Sequence, residues 1–306
     1  MEATKSERPY VLVTAAHNEE ALIGSTIRAI ISQTLLPRLW VIVSDASTDR
    51  TDKIVQEYAK RYNFIELVRV GENHALSFAS KVHAVNKGLE ILGECDYDFI
   101  GNLDADISFE TSYFADLLEK FERDASLGLA GGFIYEEHRG KFTVRFGNSV
   151  RSVAGAVQLF RRECYKSVGA FIPLKYGGED WCAEIRARMQ GWRVEAFPEL
   201  KVFHHRATGT AVGALKYCFG QGVVEYSLGS SPWFVICKSL RRLPARPYFL
   251  AALAILVGFV WARCRRQERP VPRELVEYLR EEQRTRIRDF ALRVVCTLPN
   301  ALRFGR

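Results

Sequence analysis

The feature that most constrains this chain is the regular alternation of short β-rich runs with helical patterns in its N-terminal part. Apolar runs at 10–15, 39–44, 65–70 and 98–103 predict strands, and the stretches 20–33, 49–62 and 77–92 have the apolar spacing of helices. Such alternation is typical of a parallel sheet built from βαβ units. The sequence therefore predicts an α/β fold, a Rossmann-type doubly wound mixed sheet whose ligands bind beyond the carboxyl ends of its strands.

The pattern becomes less regular in the second half of the chain. The elements predicted there are a helix at 111–124, strands at 129–135 and 156–161, and helices at 180–190 and 274–293. Glycine and serine cluster at 227–232, which is typical of a boundary between structural units. We therefore predict one domain over 1–231 and a basic helical C-terminal extension over 232–306.

The net charge of +7 arises in that extension. From residue 232 onward there are 16 Lys and Arg against 6 Asp and Glu, which leaves 27 against 30 for residues 1–231. A basic segment can bind nucleic acid or anionic lipid, and the uncharged run at 247–262 favours lipid. That run is shorter than the roughly 20 residues of a spanning helix. It is interpreted as an interfacial or re-entrant membrane anchor, with a buried core helix as the alternative, and no nucleic-acid partner is expected.

The cysteines indicate a reducing compartment. Seven of them are scattered along the chain without a C-x-x-C pair, which argues against a disulfide framework or a structural zinc site. The opening residues MEATKSERPY lack the apolar stretch of a secretory signal. We therefore expect a cytoplasmic protein, associated through its extension with the cytoplasmic face of a membrane.

Two carboxylates follow the fourth predicted strand, in the sequence Leu103-Asp104-Ala105-Asp106. Carboxylate oxygens in such a pair can hold Mg²⁺ or Mn²⁺ against the phosphates of a bound nucleotide, a task for one or two carboxylates rather than a complete protein cage. The alternative is an ordinary turn with solvated aspartates. The position at a strand end favours a divalent metal site.

Polar residues also follow the first two predicted strands, at the same edge of the sheet. Asp45 ends the second strand, and its carboxylate can accept hydrogen bonds from a base or a ribose hydroxyl. The turn after the first strand contributes Thr14, Ala15, Asn18 and Glu19 to the candidate nucleotide site. Asn18 and Glu19 could equally be residues that begin a helix.

Four ordered motifs resemble those of the family 2 glycosyltransferases, which have the GT-A type of nucleotide-binding fold. They are VLVTAAHNEEALIGSTIRAIISQT, WVIVSDASTDRTDKIVQEYA, KVHAVNKGL and FIGNLDADI, and the later segment Gly177-Gly178-Glu179-Asp180-Trp181 is similar to the family's acidic acceptor-side motif. The resemblance covers residues 9–205. It implies a catalytic domain over 1–231, with a nucleotide-binding half at 9–106 and an acceptor half at 107–231.

The resemblance also implies a reaction and its residues. A sugar would move with inversion from a nucleotide-diphosphate sugar (UDP, dTDP or GDP linked) to a hydroxyl of a glycan or lipid-linked saccharide acceptor, in surface glycan or lipid-linked saccharide synthesis. Asp180 would be the general base, with Glu179 shaping the site. Lys81 and Asn86 would face the donor, and His204 or His205 would join Asp104 and Asp106 at the metal. Each role has an alternative. Glu179 and Asp180 could only complement the helix dipole. Lys81 and Asn86 could lie on a solvated helix face, and the two histidines could only pack.

The departures from the family pattern narrow the function. The Q-x-x-R-W motif of processive synthases is not found after Asp180, and there is no array of long spanning helices. We therefore expect the addition of single sugars. A nucleotidyltransferase is the alternative enzyme, but the VTAAHNEEA turn lacks a glycine-rich phosphate loop. A non-catalytic nucleotide-sugar-binding module at the membrane is the other alternative, against which the intact acids argue.

Overall fold

The computed structural model describes residues 8–71, 78–93, 95–138, 140–206, 209, 213–243 and 248–297. By their internal contacts these residues form two compact units, Met1–Ala211 and Val212–Arg306. The first unit begins with the predicted alternation. Its elements are β1 (Tyr10–Ala16), α1 (Ile23–Ile31), β2 (Leu39–Asp45), α2 (Thr51–Ala59), β3 (Ile65–Val70), α3 (Phe78–Leu92) and β4 (Phe99–Leu103).

The remainder of the first unit supplies the other half of the sheet. Its elements are β5 (Ile107–Phe109), α4 (Tyr113–Arg123), β6 (Leu127–His138), β7 (Lys141–Val144), β8 (Val157–Arg161), α5 (Arg162–Val168), α6 (Glu179–Met189) and β9 (Arg193–His204). The predicted helices and strands of this half are present. The three-residue β5, the exposed β7 and the short α5 were not predicted, because none of them has a periodic apolar pattern long enough to recognise.

The nine strands of the described residues form one mixed sheet. The order is β3-β2-β1-β4-β8-β6-β9-β5, and β7 pairs with β6 at the side. The strands β3, β2, β1 and β4 are parallel, β8 is antiparallel to β4 and β6, and β9 is parallel to β6. The predicted α/β class and mixed sheet are confirmed, and the carboxyl ends of β1, β2 and β4 meet at one edge.

Helices cover both faces of this sheet, and the alternating side chains of the strands build a core on each. One core contains Leu12 and Trp40 together with Phe114 of α4, and the other contains Val13 and Val85 of α3. Helix α3 packs closely on the sheet at Gly88, where a Cβ would lie only 2.3 Å from a methyl group of Val13. The absence of a side chain at Gly88 allows this close approach. This close packing fixes the position of the helix that carries Lys81.

The second unit is helical, as predicted. It contains α7 (Ala214–Ser227), α8 (Pro232–Leu240), α9 (Phe249–Cys264) and α10 (Arg273–Thr297). Helices α7 and α9 cross at glycines, since a Cβ at Gly222 would lie 2.0 Å from the carbonyl oxygen of Ile255 and one at Gly258 would lie 2.1 Å from that of Phe219. Because α7 packs on α9, the compact units divide before α7, on the N-terminal side of the glycine and serine cluster at 227–232.

Polar groups are buried inside the helical unit and are paired there. Glu225 of α7 is 2% exposed, and its carboxylate accepts from Ser230 and from Lys238 Nζ at 2.5 and 2.6 Å. Gln283 of α10 donates to Ser230 Oγ at 3.0 Å. This network joins α7, α8 and α10 without an unpaired charge. None of the described helices is long and apolar enough to cross a membrane.

Candidate active site

Two aspartates and a histidine meet where β4 and β9 end. Ligand atoms of Asp104, Asp106 and His204 all lie within 4.8 Å of one another. The pairing of Ile107 with His204 in the β5 and β9 ladder brings the histidine beside the Asp-x-Asp sequence, although the two segments are far apart in the chain. The arrangement offers carboxylate and imidazole ligands to one ion, as first-row divalent metals require.

The state of His204 fits a metal ligand. Its Nε2 lies 3.0 Å from Asp106 Oδ1, and its buried Nδ1 has no hydrogen-bond partner among the described residues. Burial alone would lower the pKa of His204, but its hydrogen bond with Asp106 and the charges of Asp106, Asp104 and Glu136 together raise it. In the neutral ring with its proton on Nε2, toward Asp106, the buried Nδ1 carries a lone pair, and a metal cation bound there would supply its partner.

Lys81 of α3 binds the first aspartate of the pair. Its Nζ lies 2.6 Å from Asp104 Oδ1. Burial alone would raise the pKa of Asp104, but the charge and hydrogen bond of Lys81, together with the charges of His204 and Arg145, hold that pKa below its ordinary value. Burial alone would lower the pKa of Lys81, but the charges of Asp104, Glu179 and Asp106 and the bond to Asp104 together raise it. A permanent cation therefore lies next to the candidate metal site.

Two acids begin helix α6, directly after two glycines. Gly177 and Gly178 have φ values of 84° and 97°, a left-handed conformation that glycine adopts without strain. Asp180 Oδ2 accepts from the backbone N–H of Gly155 at 3.0 Å, and Oδ1 accepts from that of Trp181 at 2.8 Å. Two N–H donors hold the Asp180 carboxylate in one orientation.

Glu179 lies beside Asp180 in a different environment. Burial, and then the charge of Asp180, raise the pKa of Glu179 to about 7. Glu179 therefore keeps its proton to a higher pH than an exposed glutamate does.

One pocket connects Lys81 with the acids of α6. It lies between α3, β4 and α6. Its lining residues are Lys81, Val82, Val85, Asn102, Gly155, Phe171, Glu179 and Asp180. Lys81 in this lining also binds Asp104 of the metal cluster.

The turns after β1 and β2 form a hydrogen-bonded edge. Asn18 Oδ1 accepts from the backbone N–H of Thr48 at 2.8 Å, and the Thr14 hydroxyl accepts from Trp40 Nε1 at 2.9 Å. Asp45 is 7% exposed at the end of β2, and Ala15 is half-buried in β1. The residues predicted to bind the nucleotide therefore lie at one edge of the sheet. The side-chain oxygens of Thr14 and Asn18 accept hydrogen bonds from within the protein.

The sequence profile of glycosyl transferase family 2 matches residues 11–171, more than half of the chain. The chain belongs to this family. The family 2 region contains the Asp-x-Asp sequence and Lys81, whereas Asp180 and His204 lie C-terminal to it.

Curated relatives of this family 2 chain include synthases of a bacterial polysaccharide. The poly-β-1,6-N-acetyl-D-glucosamine synthase of Staphylococcus epidermidis is 25% identical over 187 residues, which are 54% of this chain and 43% of the relative. The synthase of Staphylococcus aureus strain COL is 22% identical over 204 residues, 60% of this chain and 47% of the relative. The chain spans less than half the length of these relatives.

Solved structures share the fold of this family 2 chain. The mannosyltransferase PcManGT from Pyrobaculum calidifontis, in complex with GDP-Man and Mn²⁺, has a TM-score of 0.55 and 17% identity over 84% of this chain and 75% of that chain. The Staphylococcus aureus protein TarS 1-349, in complex with UDP-GlcNAc, has a TM-score of 0.51 and 14% identity over 89% and 78%. The predicted GT-A type fold is confirmed.

His205 and Asn86 are predicted site residues of the family 2 chain that lie outside both the metal cluster and the pocket lining. His205 Nε2 is 2.8 Å from Ser108 Oγ, and its ring meets that of Phe142 edge to face, so His204 and not His205 is in the metal cluster of the described residues. Asn86 donates to the carbonyl of Phe171 at 2.8 Å and accepts from its N–H at 3.1 Å. Asn86 therefore fixes Phe171, which lines the pocket.

Arg206 is a site residue that the sequence analysis missed. Its guanidinium binds Glu19 with two hydrogen bonds of 2.8 and 2.7 Å, and its Nε lies 3.9 Å from Asp106 Oδ2. Burial raises the pKa of Glu19, and Arg206 opposes this effect. The only signal in the sequence was a basic residue two positions after a candidate metal ligand, which does not identify a partner so distant in the chain.

The raised pKa of Glu179 predicts a pH dependence of stability. The unfolded chain releases this proton near pH 4.5, whereas the folded protein keeps it to about pH 7. Folding therefore takes up a proton in this interval, and the contribution of Glu179 to stability falls as the pH rises through it. We expect Glu179→Gln to become more stable relative to the original protein between about pH 5 and about pH 8 in urea unfolding with chelator present.

Glu199→Gln is the control, because the pKa of Glu199 is shifted in the opposite direction to that of Glu179. The hydrogen bond from Lys120 is the largest cause that lowers the pKa of Glu199, so its contribution to stability is present above pH 4.5 and lost as the pH falls. Between about pH 5 and about pH 8 the stability of this variant relative to the original protein should stay constant, because Glu199 is ionised in both the folded and the unfolded chain over this interval. A Glu179→Gln difference that stays constant with pH would contradict the assignment.

Proposed function

We propose that this family 2 chain transfers a sugar from a nucleoside-diphosphate sugar to an acceptor hydroxyl, with inversion at the anomeric carbon. The observation that carries the proposal is the pocket that is lined both by Lys81, bonded to Asp104 of the metal cluster, and by Asp180. A donor diphosphate at the cluster would extend its sugar toward the base. Single-sugar addition is part of the proposal.

Asp180 would act as the general base. The acceptor oxygen attacks the anomeric carbon, the bond from that carbon to the diphosphate oxygen breaks, and the hydroxyl proton passes to the Asp180 carboxylate. The N–H groups of Gly155 and Trp181 hold that carboxylate in one orientation before the reaction. Glu179 keeps its own proton, which limits charge repulsion beside the base.

The divalent metal, Mg²⁺ or Mn²⁺, would be held by Asp104, Asp106 and His204. When bound, it neutralises charge on the leaving diphosphate. Lys81 supplies a second positive charge at the same place, since its ammonium group already lies at Asp104. The fit rests on the unpaired Nδ1 of buried His204 and on the hard carboxylate oxygens around it.

The nucleotide would lie across the turns after β1 and β2. Its candidate contacts are Thr14, Ala15, Asn18, Glu19 and Asp45, together with Lys81, Asn86, Asp104 and Ala105. We propose UDP, dTDP or GDP as the nucleotide, because TarS is described with UDP-GlcNAc and PcManGT with GDP-Man. The acceptor would be a glycan or lipid-linked saccharide, bound by the half of the catalytic domain at 107–231. The polysaccharide synthases among the relatives support a role in surface glycan synthesis.

Calorimetric titration with UDP, dTDP and GDP, each with and without Mn²⁺, tests the donor site. We expect one nucleotide to bind in a metal-dependent way and Asp106→Ala to weaken that binding by at least about tenfold, because it removes a carboxylate ligand. Asp96→Ala is the matched control, since the Asp96 side chain is 80% exposed and pairs with Arg38. Equal binding by both variants, or no binding of any nucleotide, would contradict the proposed site.

The C-terminal unit has an apolar face that we propose contacts a membrane. The stripe Leu250, Leu253, Val257 and Val260 of α9 is 40%, 53%, 49% and 53% exposed, on the opposite side of the helix from the residues buried against α7. Helix α8 adds Trp233, which is 73% exposed. An exposed apolar stripe with an exposed tryptophan is typical of interfacial helices.

Charge favours an anionic lipid surface as the occupant of this face. Residues 228–267 contain Lys238, Arg241, Arg242, Arg246, Arg263, Arg265 and Arg266 and no Asp or Glu. Basic residues on both sides of an apolar stripe can bind lipid headgroups while the stripe enters the acyl boundary. The cysteines among the described residues are unpaired in disulfides, which suits the cytoplasmic face of a membrane.

Vesicle sedimentation tests this contact. We expect the chain to bind phosphatidylcholine vesicles that contain phosphatidylglycerol, and the double variant Leu253→Glu with Val257→Glu to bind at least about tenfold more weakly, because it removes apolar burial from the stripe. The control adds the same charge at the exposed apolar residues Leu36 and Val144 and should bind normally. Equal losses in both variants, or a stripe covered by a second copy of the chain in solution, would contradict the proposal.

A further inference from the structure

Helix α6 carries three polar residues on one side, each separated from the next by one helical turn. Asp180 accepts from the N–H of Gly155 at 3.0 Å. Glu184 accepts from the backbone N–H of Val153, and Arg188 Nη1 lies 3.5 Å from the carbonyl oxygen of Arg151. The segment 151–155 thus runs along α6 and is bound at successive points by residues i, i+4 and i+8 of the helix.

Glu184 is the central contact of this arrangement. Its Oε1 accepts from the backbone N–H of Val153 at 2.8 Å and from the Ser152 hydroxyl at 3.0 Å, while Oε2 lies 3.4 Å from Arg188. The residue is 1% exposed. Burying a carboxyl group is costly, and an apolar side chain of similar size would avoid that cost but could not accept from the backbone. The geometry therefore indicates that Glu184 holds the segment.

The far end of the segment has little freedom. A Cβ at Gly155 would lie 2.8 Å from Asp180 Oδ2, so the backbone approaches the carboxylate as closely as it can. Asn102 of β4 donates to the carbonyl of Gly155 at 2.7 Å. Gly155 is therefore held on one side by Asn102 of the sheet. On the other side its backbone continues to Val153, two residues earlier, which Glu184 binds. A shift at Val153 would be transmitted to the N–H that orients Asp180.

We infer that Glu184 is a positioning residue for the base: it holds the segment 151–155 so that the Gly155 N–H fixes the orientation of the Asp180 carboxylate. The inference rests on the proposed function, in which Asp180 accepts the acceptor proton. Glu184 does not line the pocket and acts only through the backbone of the segment. A displacement of about 1 Å at a reacting group can cost about 10²-fold in rate, so the loss of this support should be measurable.

The structural part of the inference is tested by hydrogen exchange of the Gly155 amide, followed by NMR in protein labelled with ¹⁵N-glycine. We expect Glu184→Ala to speed this exchange at least about tenfold, because the bond to Asp180 opens more often. Glu184→Asp, a smaller change that retains the carboxyl group but cannot reach Val153, should act in the same direction. Glu184→Gln keeps an acceptor oxygen for Val153 and should exchange like the original protein.

Ile185→Ala is the matched control. Ile185 is the next residue of α6 and is 0% exposed, so its truncation lowers stability without touching segment 151–155. Its Gly155 amide should keep the original exchange rate under native conditions. An unchanged Gly155 rate in Glu184→Ala and Glu184→Asp, or an equal increase in Ile185→Ala, would overturn the inference whether or not the chain transfers sugar.

Nucleoside diphosphate release from UDP-GlcNAc and from GDP-mannose tests the catalytic part. Glu184→Ala and Glu184→Asp should lower kcat by about 10²-fold, with nucleotide Kd unchanged and with activity restored in Glu184→Gln. Normal kcat in the first two variants, when Asp180→Asn is inactive, would overturn the positioning role. Normal release by Asp180→Asn would instead show that the proposed function is wrong.

Discussion

The structure of the site depends on the balance of charge where several carboxylates crowd at one end of the sheet. The carboxylates are those of Glu19, Asp104, Asp106, Glu179 and Asp180. Groups of like charge this close cannot all be ionised and buried without partners. Lys81, His204 and Arg206 each pair with one of the first three, and Glu179 keeps its proton beside Asp180.

This balance explains why the fold brings distant segments to one edge. Helix α3 supplies Lys81 because Gly88 lets it lie close to the sheet, and β9 supplies His204 because it pairs with β5 directly after the Asp-x-Asp sequence. Each of these side chains bonds to an acid from another part of the chain. A divalent metal would add positive charge at the point where the acids are densest, and a donor diphosphate would bring the negative charge that balances it.

The sequence was sufficient to predict the elements whose periodicity is local. Strands β1 to β4 and the helices between them follow from runs of buried apolar residues, and Asp104 and Asp106 were predicted as metal ligands because they follow a strand. The contacts of Arg206 with Glu19 and of Gly155 with Asp180 could not be predicted, since each joins residues that only the folded chain brings together. The choice between His204 and His205 also required the pairing of β5 with β9.

Contacts between distant segments also explain why the observed helical unit differs from the extension expected from the sequence. Composition placed a boundary at 227–232, but the close approach of Gly222 to α9 joins α7 to the later helices. The apolar run of α9 was left open between a buried helix and an anchor. In the structure one side of this helix is buried, at Ile255, and the other side is exposed, at Leu253. Only a three-dimensional arrangement separates these two faces.

The most direct test of the central claim is a crystal structure of the chain with Mn²⁺ and either UDP-GlcNAc or GDP-mannose, in which anomalous scattering locates the metal. Our account predicts the metal among Asp104, Asp106 and His204, with the anomeric carbon of the sugar facing Asp180 across the pocket. A metal bound elsewhere, or a sugar directed away from Asp180, would contradict it.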